Sequence, residues 1–150
     1  LISRPGNSGL YLFYMFNVRV YGLLIHNNQI LIVKEPIKNN QVIKFPGGGL
    51  EFGEGTIDGL KREFKEELGV TITDVTHFYT TDFFVPSFLN PEHQVISIYY
   101  LVKANPDELN FNNAEGLTFS WIPLSTLSPS LFPLPIDKHV VQLLTTSQSY

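Results

Sequence analysis

Between Pro46 and Val70 the chain reads PGGGLEFGEGTIDGLKREFKEELGV, and no other stretch constrains the fold as strongly. Three successive glycines suit a backbone that turns sharply or approaches another group closely. The residues after them have helical periodicity. From Thr56 to Leu68, at about 100° per residue, the residues Ile57, Leu60, Phe64 and Leu68 fall on one narrow stripe. Gly69 stands where a C-terminal cap is expected, and Thr56 or Asp58 where an N-terminal cap is expected. The fold must therefore set a glycine loop beside an amphipathic helix and bury the apolar stripe of that helix.

The same segment holds six of the fourteen acidic residues. Glu63 and Glu67 are i, i+4 neighbours, and Glu66 lies three residues after Glu63. Like charges at that spacing destabilise a helix by a few tenths of a kcal/mol. Glu66 and Glu67 also fall in the last turn, at the negative end of the helix dipole. Lys61, Arg62 and Lys65 offset part of the charge, and a solvated acidic face is the plain reading of such a run. A hard divalent cation reverses the penalty, because Mg²⁺ takes carboxylate oxygens and shares its shell with substrate phosphate.

Around this segment the chain alternates strand and turn signals. NVRVYGLLIHNNQILIVKE predicts a hairpin turning at Asn27-Asn28, residues that tolerate left-handed conformations. VIKFP, the run VTITDVTHFYTTDFFV, QVISIYYLVKA and LTFSWIPL predict further strands, with polar loops between them. In IDKHVVQLLTTS, the residues Ile136, Val140, Leu143 and Leu144 recur at helical spacing. The class is α/β, a mixed sheet with one central and one terminal helix packed on it. Residues 1–14 are turn-rich and are expected to be a peripheral extension, with an added edge strand at Leu10–Phe16 as the alternative. Residues 15–150 are expected to form a single domain.

The formal net charge of −4 offers no electrostatic case for nucleic acid or an anionic membrane. An anionic substrate then needs a local cation. The absence of cysteine excludes disulfides and thiolate-held metals. No apolar run approaches a membrane span, and the start lacks the basic leader of a signal peptide. The expectation is a cytoplasmic protein acting on a small molecule, with a homodimer left open.

Gly48 to Val70 resembles the Nudix box, G-x5-E-x7-R-E-U-x-E-E-x-G-U, where U is bulky and apolar. Gly48, Glu54, Arg62-Glu63, Phe64, Glu66-Glu67, Gly69 and Val70 stand at its positions, Phe64 being an aromatic variant at a U site. So many residues at set spacings make the match far more specific than a lone glycine pattern. The resemblance implies the α/β/α sandwich of that family over most of Phe16 to Ser147. It implies a pyrophosphohydrolase using Mg²⁺ or Mn²⁺ on a nucleoside diphosphate linked to another moiety. It also implies roles. Glu63, Glu66 and Glu67, with the Gly47 carbonyl, would be metal ligands, and Glu54 and Arg62 would tie the loop to the helix. Gly48 and Gly69 would be structural. A glutamate in the loop before a Trp-bearing strand serves many members as further ligand or general base, and Glu115, ahead of Trp121, is the candidate; Glu108 and Asp107 compete with it.

Arg19, Lys34 and Lys44 are candidate phosphate partners, each also an ordinary strand or surface base. Among the aromatics of HFYTTDFFVPSF, Phe84 is a candidate for stacking on a base, with core packing the bland reading for most of the run. The four histidines show no metal-ligand spacing. Pro86 stands sixteen residues after the box, where ADP-ribose-hydrolysing members of that family carry proline, and the resemblance there implies ADP-ribose or a nucleotide sugar as substrate, with nucleoside triphosphates next. LPIDKHV has no Asn where members acting on oxidised dGTP often carry one. The rival is a non-catalytic nucleotide-binding sensor on the same fold, and the intact box argues against it.

Overall fold

The structure, a computed structural model, describes residues 15–147. The segment 1–14, with the expected extension or edge strand at Leu10–Tyr14, lies outside the described residues. Seven strands and two helices follow one another: β1 (Met15–His26), β2 (Gln29–Ile37), β3 (Asn40–Lys44), β4 (Gly47–Gly49), α1 (Thr56–Leu68), β5 (Thr73–Thr80), β6 (His93–Lys103), β7 (Thr118–Pro123) and α2 (Pro135–Thr146). Asn27 and Asn28 both take positive φ, 49° and 59°, the left-handed geometry that a two-residue hairpin turn demands.

The strand order is β3-β2-β1-β6-β5, with β4 paired to β1 and β7 paired to β2. β1 and β6 run parallel from Met15↔His93 to Leu24↔Val102, while the other pairs are antiparallel, so the sheet is mixed. The glycines expected as a loop form a strand. Gly49, Gly48 and Gly47 pair with Arg19, Val20 and Tyr21. The ladder is backbone to backbone, so residues with no strand propensity of their own can join it.

Side chains alternate across β1. Val20 and Leu24 point to a core shared with Leu60, Phe64 and Leu68 of α1. Tyr21 and Leu23 point to a core shared with Ile136, Val140, Val141 and Leu144 of α2. One helix therefore covers each face, as the sandwich expectation required. Gly22 makes the close approach of α1 possible, since a Cβ there would meet the Phe64 ring at 2.5 Å. Burying a Phe side chain of that kind stabilises by roughly 2–3 kcal/mol. Ile57, placed on the buried stripe by periodicity, is 40% exposed in the first turn of α1, while Leu60, Phe64 and Leu68 are buried. Among the described residues no helix is long and apolar enough to cross a membrane.

Candidate active site

α1 begins after Gly55, with no side-chain cap at that end. Thr56, expected as a cap, instead exchanges a hydrogen bond with the Tyr100 hydroxyl at 2.6 Å. The helix ends on Gly69, in the left-handed conformation at φ 68°, whose N–H reaches the Lys65 carbonyl at 3.1 Å. β4 lies against the acidic face. The Gly47 N–H donates to Glu67 Oε2 at 3.1 Å. A Cβ on Gly48 would meet Glu63 Oε1 at 2.5 Å. The glycines thus bring backbone, with nothing interposed, onto two of the three glutamates.

Arg62 ties the rest together. Its Nε and Nη2 donate to Glu54 Oε2 and Oε1 at 3.0 and 2.7 Å, a bidentate fork, and Nη2 also donates to the Gly49 carbonyl at 3.0 Å. Nη1 donates to Glu63 Oε1 at 3.1 Å and to Glu66 Oε2 at 3.2 Å. Glu54 also accepts from the Glu51 N–H at 2.8 Å. These bonds, Arg62 foremost, hold the Glu54 carboxyl down to about 2. The loop from β4 to α1 is thereby clamped to the helix it precedes.

The glutamates differ in environment. Glu67 is buried, and desolvation pushes its carboxyl up to about 7 against the opposing pull of the Gly47 N–H and of Lys44. Burial also raises Glu63, with Arg62 working the other way. The Glu66 side chain is 58% exposed. With Arg62 Nη1 between Glu63 and Glu66, no three His, Asp or Glu side chains among the described residues meet closely enough to hold an ion. The donor set is nonetheless of the kind a hard divalent cation takes. A carboxylate raised by desolvation, as Glu67 is, is the kind of group a neighbouring cation returns to its charged form.

Arg19 stands on β1 opposite Gly49. Its Nε donates to the Tyr21 hydroxyl at 2.5 Å, and Glu35 and Glu63 both act on its charge. Lys44 is buried at the end of β3 and ion-paired to Glu35, and its charge acts on Glu67. Lys34 is exposed on β2 opposite Ile43 and Thr118, and the cations that act most on Glu63 and Glu67 are Arg62, Arg19 and Lys44 instead. Phe84 is 70% exposed and lines a shallow groove with Met15, Phe16 and Pro91, a different set of residues from those around Glu67. Glu115 is exposed in the loop from β6 to β7, two residues beyond Asn113, whose amide bonds to the end of α1.

Sequence reasoning passed over Asp137. This carboxyl is 2% exposed in the first turn of α2 and accepts from the Tyr99 hydroxyl at 2.7 Å. Tyr99 stacks on Tyr21, the ring whose hydroxyl accepts from Arg19, with ring centroids 5.2 Å apart. The signal was present, since Asp137, Val141 and Leu144 share helical spacing with the apolar stripe.

The arrangement is matched elsewhere. A family model described as the NUDIX domain matches residues 15–144. An 8-oxo-dGTP diphosphatase of Buchnera aphidicola subsp. Acyrthosiphon pisum is 27% identical over 111 residues, covering 74% of this chain and 83% of that protein. The Mus musculus protein named nucleoside diphosphate-linked moiety X motif 6 is 31% identical over 123 residues, covering 80% of this chain and 38% of its own length. Among solved structures, the mutator MutT protein of Bacillus halodurans superposes with a TM-score of 0.70 at 18% identity, covering 87% of this chain and 83% of that one. At that identity the likeness is one of fold.

Proposed function

The chain belongs to the NUDIX family, and on that premise we propose that it hydrolyses a phosphoric anhydride in a nucleotide, with Mg²⁺ or Mn²⁺ held by Glu63, Glu66, Glu67 and the Gly47 carbonyl. The observation that carries this reading is the buried Glu67 carboxyl, fixed by the Gly47 N–H and raised by its surroundings. Such a group is costly for folding and of use to a cation site.

Each residue has a part that follows from its setting. Gly48, lacking a Cβ, leaves Glu63 its place beneath β4. Arg62, forked onto Glu54, fixes the β4–α1 loop so that Glu63 and Glu67 keep their geometry against the glycines. Glu66, largely exposed, has the side-chain freedom to exchange Arg62 for another partner. Arg19, steadied by Tyr21, presents its guanidinium beside Gly49 as a phosphate-binding group. Lys44, already paired with Glu35, acts on the charge of Glu67 rather than on substrate. Glu115, exposed in the loop that Asn113 ties to α1, is assigned the proton of the attacking water on the family resemblance alone, with a role as further metal ligand as the alternative. A bound divalent cation supplies charge for the diphosphate oxygens and a lowered pKa for water.

For the substrate, Pro86, exposed and bridged to Gln94, keeps ADP-ribose or a nucleotide sugar in view. A nucleoside triphosphate is set beside it by the name of the Buchnera relative, although LPIDKHV lacks the Asn associated with oxidised dGTP. A cytoplasmic location fits either. Product identification across a panel of both classes decides between them, and saturable binding without turnover points to the sensor reading.

A further inference from the structure

The loop from β6 to β7 carries Asn110 and Asn113, to which the proposed reaction gives no part. It is polar, and apart from one short turn at Pro106–Glu108 it has no regular structure. It folds back to the C-terminal end of α1, and Asn113 lies 47 residues from Glu66 in sequence. There the Asn113 side-chain amide donates to the Glu66 carbonyl at 2.7 Å and to the Lys65 carbonyl at 3.2 Å. The Asn110 N–H donates to the Leu68 carbonyl at 2.9 Å. The last carbonyls of a helix have no partner within it; that of Lys65 has the Gly69 N–H, and the distant loop supplies partners for those of Glu66 and Leu68.

The same loop is braced within itself and fastened once more, to β7. The Asn113 N–H returns to the Asn110 carbonyl at 3.2 Å, and the two side chains bond at 3.4 Å. Phe111 stacks on Phe119 of β7, with ring centroids 5.8 Å apart. Glu115 comes two residues after Asn113. The Asn113 amide, together with the Asn110 N–H, therefore ties the C-terminal end of the helix that carries Glu66 and Glu67 to the segment that carries Glu115.

We infer that Asn113 is a positioning residue, which fixes the loop bearing Glu115 to the C-terminal end of α1, the helix that carries the proposed metal-binding carboxylates. The inference rests on the roles proposed for those glutamates. Only a neutral double donor fits the place. An aspartate has the same shape but would turn acceptor oxygens on two carbonyls, beside the negative end of the helix.

The experiment is a double-mutant cycle of Asn113→Ala with Glu115→Gln, read as kcat and KM on the best nucleotide of the panel. Mn²⁺ affinity of the substrate-free protein, measured by electron paramagnetic resonance, is the second readout. Asn113→Ala is expected to lower kcat about tenfold, with KM moved by less than about twofold. Asn113→Asp, though isosteric, should lose at least as much. In the Glu115→Gln background, Asn113→Ala should cost little more, because the partner it positions is gone. Circular dichroism and thermal unfolding verify that each variant folds.

If both Asn113 variants keep wild-type kcat, or if their loss multiplies in full with that of Glu115→Gln, the inference is overturned. If Glu115→Gln alone leaves kcat unchanged, the general-base assignment fails separately. Mn²⁺ affinity then decides for Asn113. A weakening of about tenfold in Asn113→Ala keeps it as a positioning residue for α1, and an unchanged affinity removes it.

Discussion

Glu67 Oε2 accepts the Gly47 N–H at 3.1 Å across twenty residues of sequence, and that bond joins the glycine strand to the acidic helix. Everything proposed for the site depends on backbone lying directly on carboxylate. Gly48 is where this is most easily disturbed. Its missing Cβ leaves room that Glu63 fills, and a methyl group would meet the carboxylate at 2.5 Å. Gly48→Ala should displace Glu63 and lower kcat by about a hundredfold while the thermal midpoint changes little. Steady-state kinetics with an unfolding curve measures both, and an unchanged kcat would show that Glu63 has slack.

Arg62→Lys tests the clamp. A lysine ammonium cannot span both Glu54 oxygens and the Gly49 carbonyl as the guanidinium does. The Glu54 carboxyl, held down to about 2, should move up towards its ordinary 4.5, and activity should fall at least about tenfold. Carboxyl titration by NMR reads the first effect. A Glu54 that still titrates near 2 would mean that the Glu51 N–H, not Arg62, holds it down.

Gly22→Ala tests packing away from the glutamates. The new methyl group would meet the Phe64 ring at 2.5 Å, so α1 must shift or Phe64 must leave its rotamer. Stability should fall by about 1–3 kcal/mol in denaturant titration. No loss would mean that the helix rides further from β1.

Asp137 gives a pH dependence of definite sign. Burial raises its carboxyl from an ordinary 3.8 to about 7, opposed by the Tyr99 hydrogen bond and by the charges of Lys44 and Arg19. The folded state therefore keeps a proton that the unfolded state has released. This contribution is full below about pH 4 and is lost as pH rises towards 7, by on the order of 4 kcal/mol at most. Glu67 contributes with the same sign. In metal-free protein, unfolding free energy should fall between pH 4 and 7, and Asp137→Asn, which still accepts from Tyr99, should make the slope shallower. An identical slope in both proteins would place Asp137 as a charged group at neutral pH.

Much of this was legible in the chain. The hairpin at Asn27-Asn28 and the span of α1 come from local chemistry and spacing, the Glu54–Arg62 tie from the resemblance to the Nudix box, and the structure has all three. The parts that stayed hidden depend on partners distant in sequence. Gly47–Gly49 become a strand only because β1 offers a ladder. Lys34 and Lys44 read alike in sequence, yet Lys44 is buried and paired with Glu35 while Lys34 is exposed. Thr81–Val85 has the composition of a strand, but β5 stops at Thr80 and its continuation is reduced to a bridge at Pro86. Asn113 reads as one of several loop asparagines until the fold sets it on the end of α1.

A metal-dependent hydrolase built on Glu67 is tested most closely by turnover. Wild-type protein and Glu67→Gln are assayed across nucleoside triphosphates and nucleoside diphosphate derivatives, with Mg²⁺ or Mn²⁺ and with EDTA. The wild type should hydrolyse at least one substrate and lose that activity in EDTA. Glu67→Gln, which keeps the shape and removes the charge, should lower kcat by about 10²–10⁴. Turnover that survives both EDTA and Glu67→Gln, or none anywhere on the panel, would contradict this reading of the site.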